Sequence, residues 1–245
     1  MSLHRDPIQG LWIGPALSTV ERLSISSFLA NGHPYHLYVY GEVKGIPAGT
    51  TVLDGSEILP ASRIFHYKDR SSVAGFSNFF RYKLLLDRGG WWADLDVVCI
   101  RPFCFDTEHV FSSEWNLDSS VLSAGVMRCP PHAAFAEYAW RICESKDVSR
   151  LVWGETGPRL VAEAVNACGL ERYVRRPEIF CPISYMDWES VLNPETAREF
   201  IPETHSVHLW NEMWRLGGRG KDDTYPAACT FEILKRCWLG PNRNE

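Results

Sequence analysis

The sequence predicts an α/β fold, a sheet flanked by helices, and three observations carry that prediction. Two short apolar runs, Ile8 to Gly14 and Tyr35 to Tyr40, are each closed by glycine and enclose a capped helical pattern, so the chain opens as strand, helix, strand. The stretch Phe76 to Phe103 repeats helix, tight turn and strand in the middle of the chain. A length of 245 residues with 45% hydrophobic and 22% charged content suits one α/β domain with a substantial core, and the expectation is a single unit over residues 1–245.

Taken in order, Ile8-Gln9-Gly10-Leu11-Trp12-Ile13-Gly14 reads as a central strand and its exit loop. Ser18-Thr19-Val20-Glu21 fits a capping box, and Leu23, Phe28 and Leu29 follow before Gly32 ends the helix. Tyr35 to Tyr40 alternates and stops at Gly41, which predicts a right-handed crossover back into the same sheet. Residues 42–72 are looser, punctuated by Pro47, Gly49, Gly55 and Pro60, and hold two short strands or turns at Thr50 to Leu53 and Arg63 to Phe65. In the next segment Phe76, Phe79, Phe80, Leu84 and Leu85 recur at helical spacing, and Gly89-Gly90 stops that helix. Trp91 to Ile100 is aromatic and β-branched with no charge except Asp94 and Asp96, which fits one largely buried strand. Val110 to Glu114 and Val121 to Met127 read as a strand pair extending the sheet, with Asn116 and Asp118 in their loop. Two helical patterns follow, His132 to Glu144 and Pro158 to Cys168, then a strand at Ser206 to Trp210 and a terminal helix from Thr230 to Trp238.

Chemistry is concentrated in the middle. Two ionised carboxylates cannot sit bare in an apolar strand, so Asp94 and Asp96 need a cation or solvent. As residues i and i+2 of a strand they point the same way while Leu95 faces the other side. Converging hard oxygens suit Mg²⁺ or Mn²⁺, completed by phosphate oxygens and water. Asn78 and Arg81 lie three apart on the preceding helix, project from nearly the same side and can reach a common ligand.

This stretch resembles the glycosyltransferase family whose sugar-binding region contains a DXD motif, a group that includes initiating α-mannosyltransferases, capsule-type sugar transferases and the large glucosylating toxins. Ser77, Arg81, Tyr82, Gly89, Gly90, Asp94 and Asp96 match the family's pattern, whereas Asn78 stands where the family usually has Asp and Trp92 where it has Tyr. The resemblance implies a single-domain GT-A-like fold with a Rossmann-type mixed sheet. It also implies a retaining, metal-dependent transfer of a hexosyl unit from a nucleotide-diphosphate sugar to an acceptor hydroxyl. The donor is then a UDP- or GDP-sugar and the acceptor a glycan, a lipid-linked glycan or a protein, as in polysaccharide biosynthesis. The implied cofactor is Mn²⁺ or Mg²⁺.

Residue by residue, the resemblance makes Asp94 and Asp96 metal ligands, with Asp94 also serving donor and catalysis, and places Asn78 and Arg81 against the donor. Trp12 matches the strand-end Trp that lies against the nucleotide base, although the family's His shortly before it has no counterpart here. His208, followed by Trp210 and Trp214, resembles the C-terminal His-x-Trp segment that returns to the metal site, which makes His208 a third metal ligand and Trp210 a substrate contact. Thr156-Gly157-Pro158 resembles a Thr-Gly-Pro helix start facing the cleft, and Glu155 before it becomes a candidate acceptor-side catalytic residue. The basic, glycine-rich segment Gly217 to Lys221 is a candidate loop over the diphosphate.

Composition narrows the alternatives. A net charge of -5 without a dense Lys/Arg cluster argues against nucleic acid as a partner. No apolar run approaches the roughly 20 residues that span a bilayer, so no transmembrane segment is expected and the protein is at most peripheral at a membrane. Eight scattered cysteines with no C-x-x-C spacing argue against zinc, and with no secretory N-terminus they point to a reduced cytoplasm. Two rival readings stand beside the transferase: a metal-dependent phosphohydrolase, which also uses paired Asp residues, and a non-catalytic sugar-nucleotide binding module.

Overall fold

In the computed structural model, which describes residues 6–68, 72–197 and 199–240, the main sheet has six strands in the order Thr51–Asp54, Tyr35–Val39, Ile8–Trp12, Gly90–Ala93, Ser119–Cys129 and Val110–Asn116. Strand β1 (Ile8–Trp12) leads through α1 (Thr19–Ala30) to β2 (Tyr35–Val39) and then β3 (Thr51–Asp54). These three run parallel, with Ile8 opposite Tyr35 and Trp12 opposite Val39. Helix α2 (Ala74–Arg88) returns the chain to β4 (Gly90–Ala93), which is also parallel to β1. After β5 (Val97–Cys99), the hairpin β6 (Val110–Asn116) and β7 (Ser119–Cys129) adds the antiparallel half, with β7 against β4. The sheet is therefore mixed and flanked by helices, as the sequence leads one to expect.

The remaining elements are α3 (Ala134–Ser145), α4 (Pro158–Ala167), the short α5 (Pro177–Phe180), β8 (Ser206–His208), α6 (Asn211–Leu216) and α7 (Thr230–Leu239). Helices α2, α3 and α4 cover one face of the sheet, where Phe76, Phe80 and Leu84 meet Tyr38, Trp92 and Met127. Ile25 and Phe28 of α1 cover the other face with Leu37, Trp91 and Val126. Trp91 and Trp92 thus serve opposite layers, as the two-residue period of a strand requires. A third cluster joins Val98, Val207, Trp214 and Phe231.

Local signals account for the element ends. Ser18 and Glu21 form the expected capping box of α1. Gly89 ends α2 at φ +62°, and a Cβ there would lie 2.4 Å from the Pro131 nitrogen, so only glycine fits between α2 and the loop that crosses it. The loose stretch 42–72 holds one strand and two single-turn 3₁₀ helices, and its residues 69–71 lie outside the described residues.

One expectation is corrected. Trp91 to Ile100 is not a single strand: β4 ends at Ala93, and β5 belongs to a separate two-stranded sheet, antiparallel to β8 with Val97 opposite His208. Asp94-Leu95-Asp96 is a turn, closed by the Val97 N–H donating to the Asp94 carbonyl at 3.0 Å. A continuous apolar run records burial only, and burial does not reveal where the backbone changes its hydrogen-bonding partner. No helix among the described residues is long and apolar enough to cross a membrane, and none of the eight cysteines forms a disulfide.

Candidate functional site

Each carboxylate of the Asp94-Asp96 turn is held by a different part of the chain. The Asp94 N–H donates to the Gly125 carbonyl at 2.8 Å, which fixes the turn to β7. Its Oδ1 accepts from the Arg81 guanidinium at 2.7 Å and from the Trp92 indole N–H at 2.8 Å. Arg81 is only 4% exposed; it also donates to the Ala124 carbonyl at 2.6 Å and lies 4.9 Å over the Trp92 ring. Helix α2 and strand β7 therefore clamp Asp94 through one guanidinium.

Asp96 is held by the C-terminal return. Its Oδ1 meets His208 Nε2 at 3.1 Å, its Oδ2 accepts the Asn211 backbone N–H at 2.7 Å, and its carbonyl accepts the Leu209 N–H at 2.8 Å. Trp210 makes this possible by taking the left-handed conformation, φ +58°, which a non-glycine residue adopts only when its surroundings hold it there. The Trp210 indole donates to the Ile183 carbonyl and stacks on His208 with ring centroids 3.9 Å apart. On the other side of the imidazole, Nδ1 faces Cys181 Sγ at 3.9 Å. Gly125 leaves room for the ring, since a Cβ there would lie 3.1 Å from His208 Cε1.

Asp94, Asp96 and His208 offer ligand atoms that all lie within 4.8 Å of one another. Two carboxylates and one imidazole form a donor set suited to a hard or borderline divalent cation, Mn²⁺ above Mg²⁺ because of the nitrogen. Burial raises the Asp94 carboxyl, against the pull of Arg81 and with a further push from Asp96. Asp96 would also be raised by burial, but His208 and the Asn211 amide hold it below the usual carboxylate range. Burial alone would lower His208, yet the Asp96 carboxylate raises its imidazole well above 6.5. The Asp96 carboxylate thus favours a proton on His208, and a cation held by this imidazole would have to displace it.

The other expected residues are distributed around this cluster. Trp12 ends β1, half-buried, with its indole N–H buried and unpartnered. Asn78 and Arg81 diverge: Asn78 is buried and donates to the Thr156 hydroxyl at 3.3 Å, while Arg81 turns to Asp94. The Tyr82 hydroxyl donates to the Thr156 carbonyl, so the Thr156-Gly157-Pro158 helix start packs directly on α2. Glu155 pairs with Lys146 at 2.7 Å and is not brought into the carboxylate cluster. In the glycine-rich segment, Lys221 donates to Glu21 Oε1 at 2.9 Å and Arg219 pairs with Glu189.

Sequence reasoning missed three participants. Asn211 and Cys181 carry no local pattern that singles them out. Glu114, at the charged end of an apolar strand, did carry such a signal: it is buried on β6, burial raises its carboxyl, the Ser123 hydroxyl counters that, and both His208 and Asp94 lie within its electrostatic reach.

Comparison with known proteins agrees with the motif. Residues 26–121 match the family model described as glycosyltransferase sugar-binding region containing DXD motif. A human protein, alpha-1,4-N-acetylglucosaminyltransferase, is 24% identical over 187 residues, which is 67% of this chain and 53% of the relative. The chain thus spans about half the length of that curated relative. Among solved structures, the PaToxG glycosyltransferase is similar with a TM-score of 0.48 at 14% identity, over 66% of this chain and 69% of that one. The resemblance to the DXD glycosyltransferases read from Ser77 to Asp96 therefore holds on an independent match that contains the whole motif.

Proposed function

We propose that this chain, as a single GT-A-type unit, is a metal-dependent retaining glycosyltransferase that moves a hexosyl unit from a nucleotide-diphosphate sugar to an acceptor hydroxyl, with a glycan as the acceptor class. The observation that carries the reading is the convergence of Asp94 and Asp96 with His208, 112 positions beyond Asp96, at one point on the edge of a mixed α/β sheet. Arg81 already offsets the charge of Asp94, so the group that calls for a further cation or proton is Asp96 beside His208, where a buried carboxylate is costly unless offset.

In this reading Asp94, Asp96 and His208 hold Mn²⁺, which when bound supplies the positive charge that stabilises the departing diphosphate. Arg81 serves the donor through Asp94: its guanidinium occupies Oδ1 and leaves the other oxygen for the cation and sugar hydroxyls. Trp12, at the carboxyl end of β1, offers an indole face for the nucleotide base. Trp210 keeps the imidazole in place by stacking on it. The name of the human relative makes UDP-N-acetylglucosamine the first donor to try.

The test is nucleoside diphosphate release by the purified protein with Mn²⁺, over a panel of UDP- and GDP-sugars, with and without oligosaccharide acceptors. Acceptor-dependent release is expected, with the anomeric configuration retained in the product. Asp96→Ala should lower it at least about a hundredfold; because the same buried carboxylate also anchors His208 and the Asn211 amide, the loss is scored on variant protein whose far-UV spectrum matches the wild type. Release of inorganic phosphate instead would favour the phosphohydrolase, and tight donor binding without turnover would favour the binding module.

A further inference from the structure

The side chain of Asn211 is oriented by a residue on a distant helix. Its Nδ2 donates to Glu21 Oε1 at 3.0 Å, and Glu21 is fully buried on α1. The same oxygen accepts from Lys221 Nζ, and the other oxygen of Glu21 accepts from the backbone N–H and the hydroxyl of Ser18. A carboxylate has no hydrogen to give, so the amide NH₂ must face Glu21 and Asn211 Oδ1 must face away from it. That Oδ1 is buried and has no hydrogen-bond partner, although buried acceptors are nearly always satisfied. At the same time the backbone N–H of Asn211 lies 2.7 Å from Asp96 Oδ2, so the residue borders the carboxylate cluster.

We propose that Asn211 is a fourth oxygen-bearing group of the cation site, with Glu21 as the positioning residue that aims its Oδ1 at the cation's coordination shell. The inference rests on reading Asp94, Asp96 and His208 as that site and deepens it. A neutral amide oxygen adds a hard ligand or a water-holding acceptor without adding charge to a cluster that already carries two carboxylates. The arrangement also gives Glu21 a second duty beyond capping α1, and it ties the Lys221 loop to the site through the same carboxylate.

The experiment is calorimetric titration of the full chain with MnCl₂ in the absence of any sugar nucleotide. Asn211→Ala should weaken binding by about tenfold to a hundredfold, as loss of an outer partner or ligand does. Glu21→Gln should weaken it by about tenfold or more without touching the cation, because the Gln amide can donate to Oδ1 and so turn the Asn211 amide around. Combining Glu21→Gln with Asn211→Asp should restore affinity to within about threefold of the wild type, since an aspartate accepts on both sides. That rescue separates an aiming role from a merely structural one, and it decides the matter should Asn211→Ala fail to fold. Affinity of Asn211→Ala within about twofold of the wild type, or a double variant no tighter than Glu21→Gln alone, would overturn the proposal. A wild type that does not bind Mn²⁺ would overturn the reading of the cluster itself.

Discussion

Asp94 and Asp96 are two positions apart, yet their carboxyls are pushed in opposite directions, upward by burial at Asp94 and downward by His208 and the Asn211 amide at Asp96 despite burial. The consequence is a pH dependence whose sign follows from His208. Its folded pKa is raised, so its contribution to stability is complete below the unfolded value of about 6.5 and is lost as pH rises through the higher folded value. Asp96 is the reverse case, contributing above its unfolded pKa and losing that contribution as pH falls through the depressed folded one. Metal-free protein should therefore melt lower on the alkaline side of His208's titration, and His208→Gln should remove that slope. Mn²⁺ must displace the same proton, so its affinity should climb by up to about tenfold per pH unit until the imidazole is neutral, then level off. Calorimetry between about pH 6 and pH 8 checks this, and an affinity that stays flat across that range would count against His208 as a ligand.

Two glycines define the elements that carry the site. Gly89 joins α2 to β4 in a conformation and a space that exclude a side chain, so the helix bearing Arg81 and the strand leading to Asp94 keep one fixed relation. Gly89→Ala should cost about 1–3 kcal/mol in denaturant unfolding, whereas Gly41→Ala, where a Cβ would meet nothing within 4 Å, should change little. Gly125 works differently. Its would-be Cβ meets His208 Cε1 at 3.1 Å, so Gly125→Ala should displace the imidazole and weaken Mn²⁺ binding more than it lowers the melting temperature. A large loss of stability with unchanged metal affinity would place that ring in the packing rather than in the site.

At the scale of the whole molecule, the cluster bridges two sheets. Asp94 leaves the six-stranded sheet, Asp96 enters the two-stranded one, and β8 brings His208 against β5 from the far end of the chain. A cation held by all three would join both sheets and oppose unfolding as any ligand specific to the folded state does. At a hundred times its dissociation constant, Mn²⁺ should add about 2.7 kcal/mol and raise the melting temperature by roughly 5–10 °C. Asp96→Ala should abolish that rise. An equal rise in the variant would mean that the metal binds elsewhere.

By itself the sequence determined the pieces whose cause is local. The helical period from Phe76 to Leu85, the Ser18–Glu21 capping box, the glycine stop and the strands beginning at Ile8 and Tyr35 each depend on hydrogen bonds and side chains within a few residues. It also carried Asp94 and Asp96 as a motif and His208 as their expected companion through resemblance. Only the tertiary structure decided how they meet. The two carboxylates converge through a turn between sheets rather than along the pleat of one strand, because β7 pairs with β4 as far as Ala93 and β8 takes over at Val97. Arg81 faces Asp94 rather than sharing a ligand with Asn78, because the register of β7 places the Ala124 carbonyl within its reach. Glu21 and Asn211, 190 positions apart, meet because α1 and the C-terminal return are buried against each other. Such contacts are chosen by backbone pairing and burial between distant segments, and no local pattern of residues encodes them.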